Sequence, residues 1–484
     1  NMINAFVRIR SWLIACTALV LYELARWGLS FWIYPTFHSV FPLAREIGTA
    51  SEVFACFALL AIVMNYSRGA LVLRVSHCLT PLLVVASLGM MCVAISMGSV
   101  TLLVIGAVAY GLAAPWFYIA ASAVLIELSP EKALLAVGTA AVLRCLISVA
   151  TEFVLADAAT GYLVQGIICL ACLGVSWNAA RSIPSMLDNE APGVAPLFVN
   201  PRSYIPAGHP LFTSVVLLGA VRGIALTYGS IASVPVQMPL NIFPLVLIIG
   251  LSLLALRRSR ALDTLYLGVI VLVLAGLTLF CPTLLSAPRS PFVQQIPNVL
   301  FSSGADCLVA LALLVSSAIG RRNPADFFRI AALYEGSICL GILGGATVGH
   351  GLNLLLPRHL EAVAWGFSLA AVVFACYNFL LLRSFSFDDV VSHVRPVDTP
   401  RIVPPSESFD ERCRSIAESF ALTPREAEIL QFYARGRSTA VVQEELVLSY
   451  NTVKTHVRNL YRKTDVHSQQ ELIDLVDSWP CQGE

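Results

Sequence analysis

The chain has 484 residues, 57% of them apolar and only 13% charged, with a mean hydropathy of +0.77. That is more apolar surface than a soluble core of this length needs, which excludes a wholly soluble globular protein and predicts one embedded in a membrane. The formal net charge of +1 hides an asymmetry, because 11 of the 31 Lys and Arg follow Val394 and mark the last fifth of the chain as different.

No cleavable signal peptide is expected at the start, since the first apolar run lacks a small-residue cleavage site and many more runs follow it. Runs of about 17 to 25 apolar residues, each long enough to cross the hydrocarbon as a helix, recur from Trp12 to Leu382. Twelve are predicted, centred near Leu21, Leu59, Val85, Ala107, Val142, Cys169, Leu218, Leu247, Leu272, Leu311, Leu340 and Ala371. The Pro-rich connection from Arg181 to His209 divides them six and six, the layout of a two-halved transporter fold. With the N-terminus inside, fourteen Lys and Arg fall in inside segments and only Arg45, Arg289 and Arg358 fall outside. Basic residues accumulate on the cytoplasmic side, so both termini are expected there. The thirteen Cys, mostly within apolar runs, read as small buried hydrophobes, and no metal site or cofactor is expected.

Ionisable groups within spans are costly and therefore candidates for a ligand site. They are Glu23 and Arg26 in span 1, Arg144 and Glu152 in span 5, Arg222 in span 7, Asp306 in span 10 and Glu335 in span 11. Glu23 and Arg26 are three apart, a spacing that permits a local ion pair. Structural pairing between helices accounts for such charges as well as an unknown polar or charged effector does, and both readings stand.

After Arg383 hydrophobicity collapses. Ser384 to Ser408 carries Pro396, Pro400, Pro404 and Pro405 with mixed charges and no helical period, so the expected organisation is a membrane domain at 1–383, a linker at 384–408 and a terminal domain at 409–484. Thr423, Pro424 and Glu426 spell a capping box that opens a helix, with Ala427, Leu430 and Ala434 on one face and Gly436 as the stop. Ser438 is expected to cap a short helix holding Val441, Val442 and Leu446, and Ser449 a third running to about Lys463. Two short helices joined through Val447 and Leu448 make a helix-turn-helix. In the third helix Val453, Val457 and Leu460 share an inward face, while Asn451, Thr452, Lys454, Thr455, His456, Arg458 and Arg462 lie on the others. No acid occurs from Leu446 to Thr464. A cationic, amide-bearing helix face suits the major groove, where Lys or Arg reads guanine and Asn reads adenine. A solvated basic face is the bland alternative.

The stretches LTPREAEILQFYARGRS and LVLSYNTVKTHVRNLYRKTDVHSQQELIDLV resemble the LuxR-type, or GerE-like, helix-turn-helix family over about a ninth of the chain. The resemblance implies a four-helix domain that binds double-stranded DNA, with Lys454, Thr455 and Arg458 toward base edges and neighbouring polar groups on phosphates. It also implies that the last helix, Gln469 to about Trp479, offers Leu472, Leu475, Val476 and Trp479 for homodimer contacts. Thr464 and Asp465 stand where a Leu-Gly pair often ends the third helix, and Gln469 replaces a common Arg. The six-plus-six spans in turn resemble the layout of the major facilitator superfamily, whose spans 1, 5, 7, 10 and 11 line a central cavity. That family's acid-bearing loop between spans 2 and 3 is not recognisable in NYSRGALVLR, so efficient transport is not expected.

The fold class expected is therefore all-α, a polytopic transmembrane bundle followed by a small helix-turn-helix domain. The function expected is a one-component regulator in a bacterial cytoplasmic membrane, its bilayer-embedded half sensing a small-molecule effector. A transporter with an appended regulatory domain and a mere membrane anchor are the alternatives. An enzyme is the poorest class, because no nucleophile, metal or nucleotide motif with suitable spacing occurs.

Overall fold

Each of the twelve predicted span centres falls within its own helix in the computed structural model. It describes residues 2–65, 69–152, 158–188, 210–231, 242–256, 260–285, 291–322, 324–355, 359–381, 386–388, 405–435, 439–446 and 448–479. The helices are α1 (Met2–Gly28), α2 (Ala44–Asn65), α3 (Gly69–Met97), α4 (Val100–Ala123), α5 (Pro130–Glu152) and α6 (Ala158–Asp188), then α7 (Pro210–Ile231), α8 (Ile242–Ala255), α9 (Ala261–Leu285), α10 (Pro291–Arg322), α11 (Pro324–Leu355) and α12 (Leu360–Leu381). Among the described residues, nine helical segments are long and apolar enough to cross a membrane. Among the described residues, α7 and α8 hold the shorter apolar stretches Phe212–Ile224 and Ile242–Ala255.

Many large apolar side chains point outward, among them Phe54, Leu82, Leu254, Trp365 and Phe379, each about two-thirds exposed or more. Exposed apolar surface on this scale has lipid as its natural solvent. Packing follows the six-plus-six division. α1 packs on α5 and α6, and α3 on α4 and α6. In the second half α7 packs on α11, and α9 on α10 and α12. The halves meet where α2 packs on α11, α5 on α8 and α4 on α10.

The α7–α11 pair is a glycine seam. A Cβ added at Gly219, Gly223, Gly341 or Gly345 would strike backbone atoms of the facing helix, so the two backbones touch directly. Apolar bulk drives little association between helices in lipid, and small residues spaced by four allow the close contact that does. Gly219-x-x-x-Gly223 and Gly341-x-x-x-Gly345 carry this spacing in the sequence, and sequence reasoning passed over it. The seam brings Arg222 of α7 and Glu335 of α11 to one cavity.

The chain divides into two compact units, Asn1–Pro396 and Val397–Glu484. Ser386, Phe387 and Asp388, within the segment expected as a linker, are fastened to the first turn of α9. Asp263 accepts hydrogen bonds from Ser386 Oγ at 2.6 Å and Phe387 N at 2.7 Å, and its own N–H donates to Asp388 Oδ2 at 2.9 Å. Asp388 thereby occupies one of the backbone donors that a helix start leaves without a partner.

The second unit contains α13 (Pro405–Ser419), α14 (Pro424–Ala434), α15 (Thr439–Leu446), α16 (Tyr450–Thr464) and α17 (Gln469–Ser478). The four helices expected of the helix-turn-helix domain are present among the described residues, and ahead of them stands α13, where Cys413, Ile416 and Phe420 indicate a short helix in the sequence. α13 begins before residue 409, inside the segment expected as linker, and contributes Cys413 and Ile416 to the same core as Ile429, Leu430, Val442, Val453, Leu460, Leu472 and Val476. The helix was weak in sequence because only a narrow stripe of it is apolar.

Candidate nucleic-acid interface and membrane cavity

Local chemistry sets the position of α16. Ser449 caps it by accepting from Thr452 N at 3.2 Å, and Val453 and Leu460, both fully buried, fix which side faces the core. Val457 is half-buried beside them. Asn451, Thr452, Lys454, Thr455, Arg458 and Arg462 are then exposed, and His456 is partly so. Thr455 Oγ1 donates back to Asn451 O at 2.9 Å, a bond that leaves the hydroxyl oxygen available as an acceptor. The helix ends at Asp465, whose φ of 55° and ψ of 39° are left-handed, a conformation that Asp tolerates better than most residues other than Gly. Gly436 and Ser438 lie outside the described residues.

Beneath this face a buried ion pair joins α14 to α16. The predicted capping box is formed, with Thr423 N donating to Glu426 Oε2 at 2.8 Å and Glu426 N to Thr423 Oγ1 at 3.3 Å. Lys463 Nζ donates to the same Glu426 oxygen at 2.7 Å and to Ala421 O at 3.0 Å. Burial alone would raise the Glu426 carboxyl, but the Lys463 ammonium and the Thr423 donors outweigh it and hold it below the usual carboxylate range. Lys463 is thus committed to the scaffold, and Lys454 and Arg458 lie exposed on the outer face.

Of the residues expected at a dimer contact, Leu472 and Val476 of α17 are fully buried in the domain's own core, Leu475 is partly buried beside it, and Trp479 packs at a tilt on Phe420 while its indole N–H donates to Ser415 Oγ at 3.1 Å. With α13 added to the domain, the apolar face of α17 has a partner within the same chain. Gln469 donates to Tyr433 O at 3.1 Å and so braces α14.

In the membrane unit a charge network crosses the two halves. Arg144 of α5, almost fully buried, donates to Asp306 Oδ2 of α10 at 2.5 Å, and its Nε lies 3.9 Å from Glu23 Oε2 of α1. Arg26 lies 3.5 Å from Glu23 one turn away, the local pair that the spacing predicts. Glu23, Arg26, Arg144 and Asp306 are therefore one cluster. Glu335 and Arg222 line a cavity of about 120 Å³ together with Arg26, Tyr22, Tyr34, Glu52 and Cys339. The side chain of Glu152 lies outside those described. Sequence reasoning passed over Glu52, although an acid in the middle of span 2 carried the same signal as the others. It also passed over Tyr34, which α1 delivers to the cavity by loosening into a π-helical turn at Leu29–Ile33 and then tightening into a 3₁₀ turn.

Comparison with known proteins separates the two units. Residues 421–476 match the family described as bacterial regulatory proteins, luxR family, and form its helix-turn-helix domain. Over 71 residues the chain is 43% identical to an uncharacterized response regulatory protein, YgeK, of Escherichia coli strain K12, a match covering 14% of this chain and 48% of that protein. It is 40% identical over 52 residues to the monoamine regulon transcriptional regulator of Klebsiella aerogenes, covering 11% and 23%, and 41% identical over 51 residues to the transcriptional regulatory protein LiaR of Bacillus subtilis strain 168, covering 10% and 24%. The chain spans less than half the length of each of these relatives. The membrane helices align with a bacterial homologue of the iron transporter ferroportin at a TM-score of 0.49 and 12% identity, covering 76% of this chain and 99% of that one. They align with the human organic anion transporter MFSD10 (TETRAN) at 0.49 and 15% identity, covering 77% and 99%.

Proposed function

We propose that this chain is a membrane-bound transcription regulator, a one-component sensor in which a small molecule held by the membrane unit controls how the LuxR-type domain engages DNA. The observation that carries the reading is the exposed face of α16, with Asn451, Lys454, Thr455 and Arg458 outward on a helix that starts at a Ser cap and contains no acid. Major-groove readers need such a face, because Lys and Arg donate to guanine and Asn pairs both ways with adenine. The match to a family of regulatory proteins supports the same role and favours a regulator over an enzyme.

Lys and Arg asymmetry across the loops supports both ends of the chain in the cytoplasm, where DNA is reached, and the match to bacterial regulatory proteins beside many apolar helices supports a bacterial inner membrane. The stretch from Ala421 to Trp479 carries seven basic and eight acidic residues, so nonspecific attraction to the duplex is weak. Binding as a homodimer to two half-sites supplies the missing affinity. A ligand can shift this equilibrium only if it binds two states of the membrane unit with different affinity.

The test is genome-wide occupancy by crosslinking and immunoprecipitation of the full-length protein beside the Lys454→Ala/Arg458→Ala variant. Focused peaks in the wild type that vanish in the variant are expected, with equal membrane insertion of both proteins. Peaks that persist in the variant would sink the assignment of α16 as the reading helix.

A further inference from the structure

The membrane cavity contains two unmet chemical demands on opposite kinds of group. Tyr22 is 2% exposed and lines the cavity, yet its buried hydroxyl has no hydrogen-bond partner among the described residues. Arg222 also lines it, with no ion-pair or hydrogen-bond partner among the described residues. An unpaired guanidinium and an unpaired phenol at this depth are both costly, and both are met by an acceptor, most fully by a carboxylate. The other demand comes from α2 and α11. One carboxylate oxygen of Glu52, one of Glu335 and the Cys339 sulfur lie within 4.8 Å of one another.

Charge bookkeeping narrows the ligand. Arg26 and Arg144 are balanced by Glu23 and Asp306 in the cluster described above. Arg45 and Glu46, which also line the cavity, pair with each other, so the groups left over are the acids of Glu52 and Glu335 and the guanidinium of Arg222. The remaining cavity is therefore dipolar. A simple anion satisfies Arg222 and abandons the acids, whereas a simple cation or a divalent metal satisfies the acids and abandons Arg222 and Tyr22.

We infer that this cavity binds a small zwitterion of amino-acid type, its carboxylate on Arg222 and the Tyr22 hydroxyl and its ammonium at Glu52 and Glu335. The inference deepens the sensor reading and rests on it for its regulatory meaning. Size agrees, since about 120 Å³ is close to the roughly 150 Å³ of an engineered cavity that admits benzene, which points to a ligand of about five to seven non-hydrogen atoms. The seam at Gly219, Gly223, Gly341 and Gly345 holds the helices bearing Arg222 and Glu335 at a fixed separation, so both ends of the ligand are gripped at once.

The experiment follows the thermal unfolding of the full-length protein in lipid nanodiscs while glycine, L-alanine, β-alanine or γ-aminobutyrate is titrated, with propionate, propylamine and zinc chloride as matched probes. A ligand that binds only the native state raises Tm in a saturable way. At least one amino acid is expected to do so, with propionate and propylamine weaker by about tenfold or more, since each lacks one charge-assisted contact. Arg222→Gln should weaken that amino acid roughly tenfold to a hundredfold. Tyr22→Phe removes only a hydroxyl without a partner, so it should keep the wild-type Tm without ligand and still lose several-fold affinity. The Lys454→Ala/Arg458→Ala variant should bind the amino acid like the wild type, which separates this inference from the reading of α16. Silence of all four amino acids, equal binding of propionate or propylamine, or a zinc shift lost in Glu52→Gln and Cys339→Ser while amino acids remain silent would each overturn it.

Discussion

Lys454 and Lys463 lie nine positions apart on one helix and have opposite fates. Lys454 is on the outer face, whereas Lys463 is bonded to Glu426 and to Ala421 O beneath it. Arg458→Ala should therefore cost about 1–3 kcal/mol of operator binding and relax specificity at one base pair, while Arg462→Ala, read as a phosphate contact, should weaken all sequences alike and reduce the salt slope by about one. Fluorescence anisotropy of the full-length protein on operator and scrambled DNA at several salt concentrations distinguishes the two. Lys463→Met should instead destabilise the domain by about 1–2 kcal/mol, because it leaves the buried Glu426 without its cation, although partial exposure of the lysine moderates the cost. Since the Glu426 carboxyl is lowered in the folded state, its stabilisation is complete at neutral pH and is lost as pH falls through that lowered value. Amide exchange of α14 and α16 in the full-length protein should consequently speed up on acidification, beyond the intrinsic rate change, and Glu426→Gln should flatten that response. The capping box and the Asp465 stop were legible in sequence because they are local. The Lys463–Glu426 pair was not, because its members are 37 residues apart and only the fold brings them together.

Helices were the most legible elements, since an uninterrupted apolar run needs no partner to be recognised. What escaped were pairings that depend on small residues or on a narrow stripe. The glycine seam between α7 and α11 makes a contrast testable at adjacent positions. A Cβ at Gly345 would strike the Ala220 backbone, whereas one at Gly344 meets nothing within 4 Å. Gly345→Ala should lower stability by about 1–3 kcal/mol and Gly344→Ala should leave it unchanged or raise it slightly, measured as Tm in nanodiscs. The clasp of Asp263 on Ser386, Phe387 and Asp388 is a second such pairing, formed between the start of α9 and the segment just after α12. Because it ties the exit of the membrane unit to a helix of the second half, Asp263→Ala should reduce the response of operator occupancy to effector while leaving operator affinity without effector within about twofold, as for surface changes of ±0.5 kcal/mol. A reporter titration reads this directly. The start of α13 was obscured for a related reason, since Pro405 and its polar neighbours made the first turn look like linker, whereas the stripe of Cys413 and Ile416 that meets the core was legible.

At the scale of the whole chain, composition alone separated a lipid-embedded part from a polar terminal part, and the two compact units divide near the collapse in hydropathy that follows Arg383. The candidate cavity was half legible. Intramembrane charges named Arg26, Arg222 and Glu335, but Tyr22 and Cys339 carry no sequence signal of their own, because aromatic and thiol groups are ordinary in apolar helices. The central claim is that the membrane unit controls the DNA-binding unit rather than merely holding it. The most direct test replaces residues 1–396 with an unrelated multi-span anchor of the same topology and measures, at promoters occupied by the wild type, both occupancy and its response to effector. Retained basal occupancy with the response abolished is the predicted result. A chimera that still responds like the wild type would contradict the account and leave the membrane unit as an anchor.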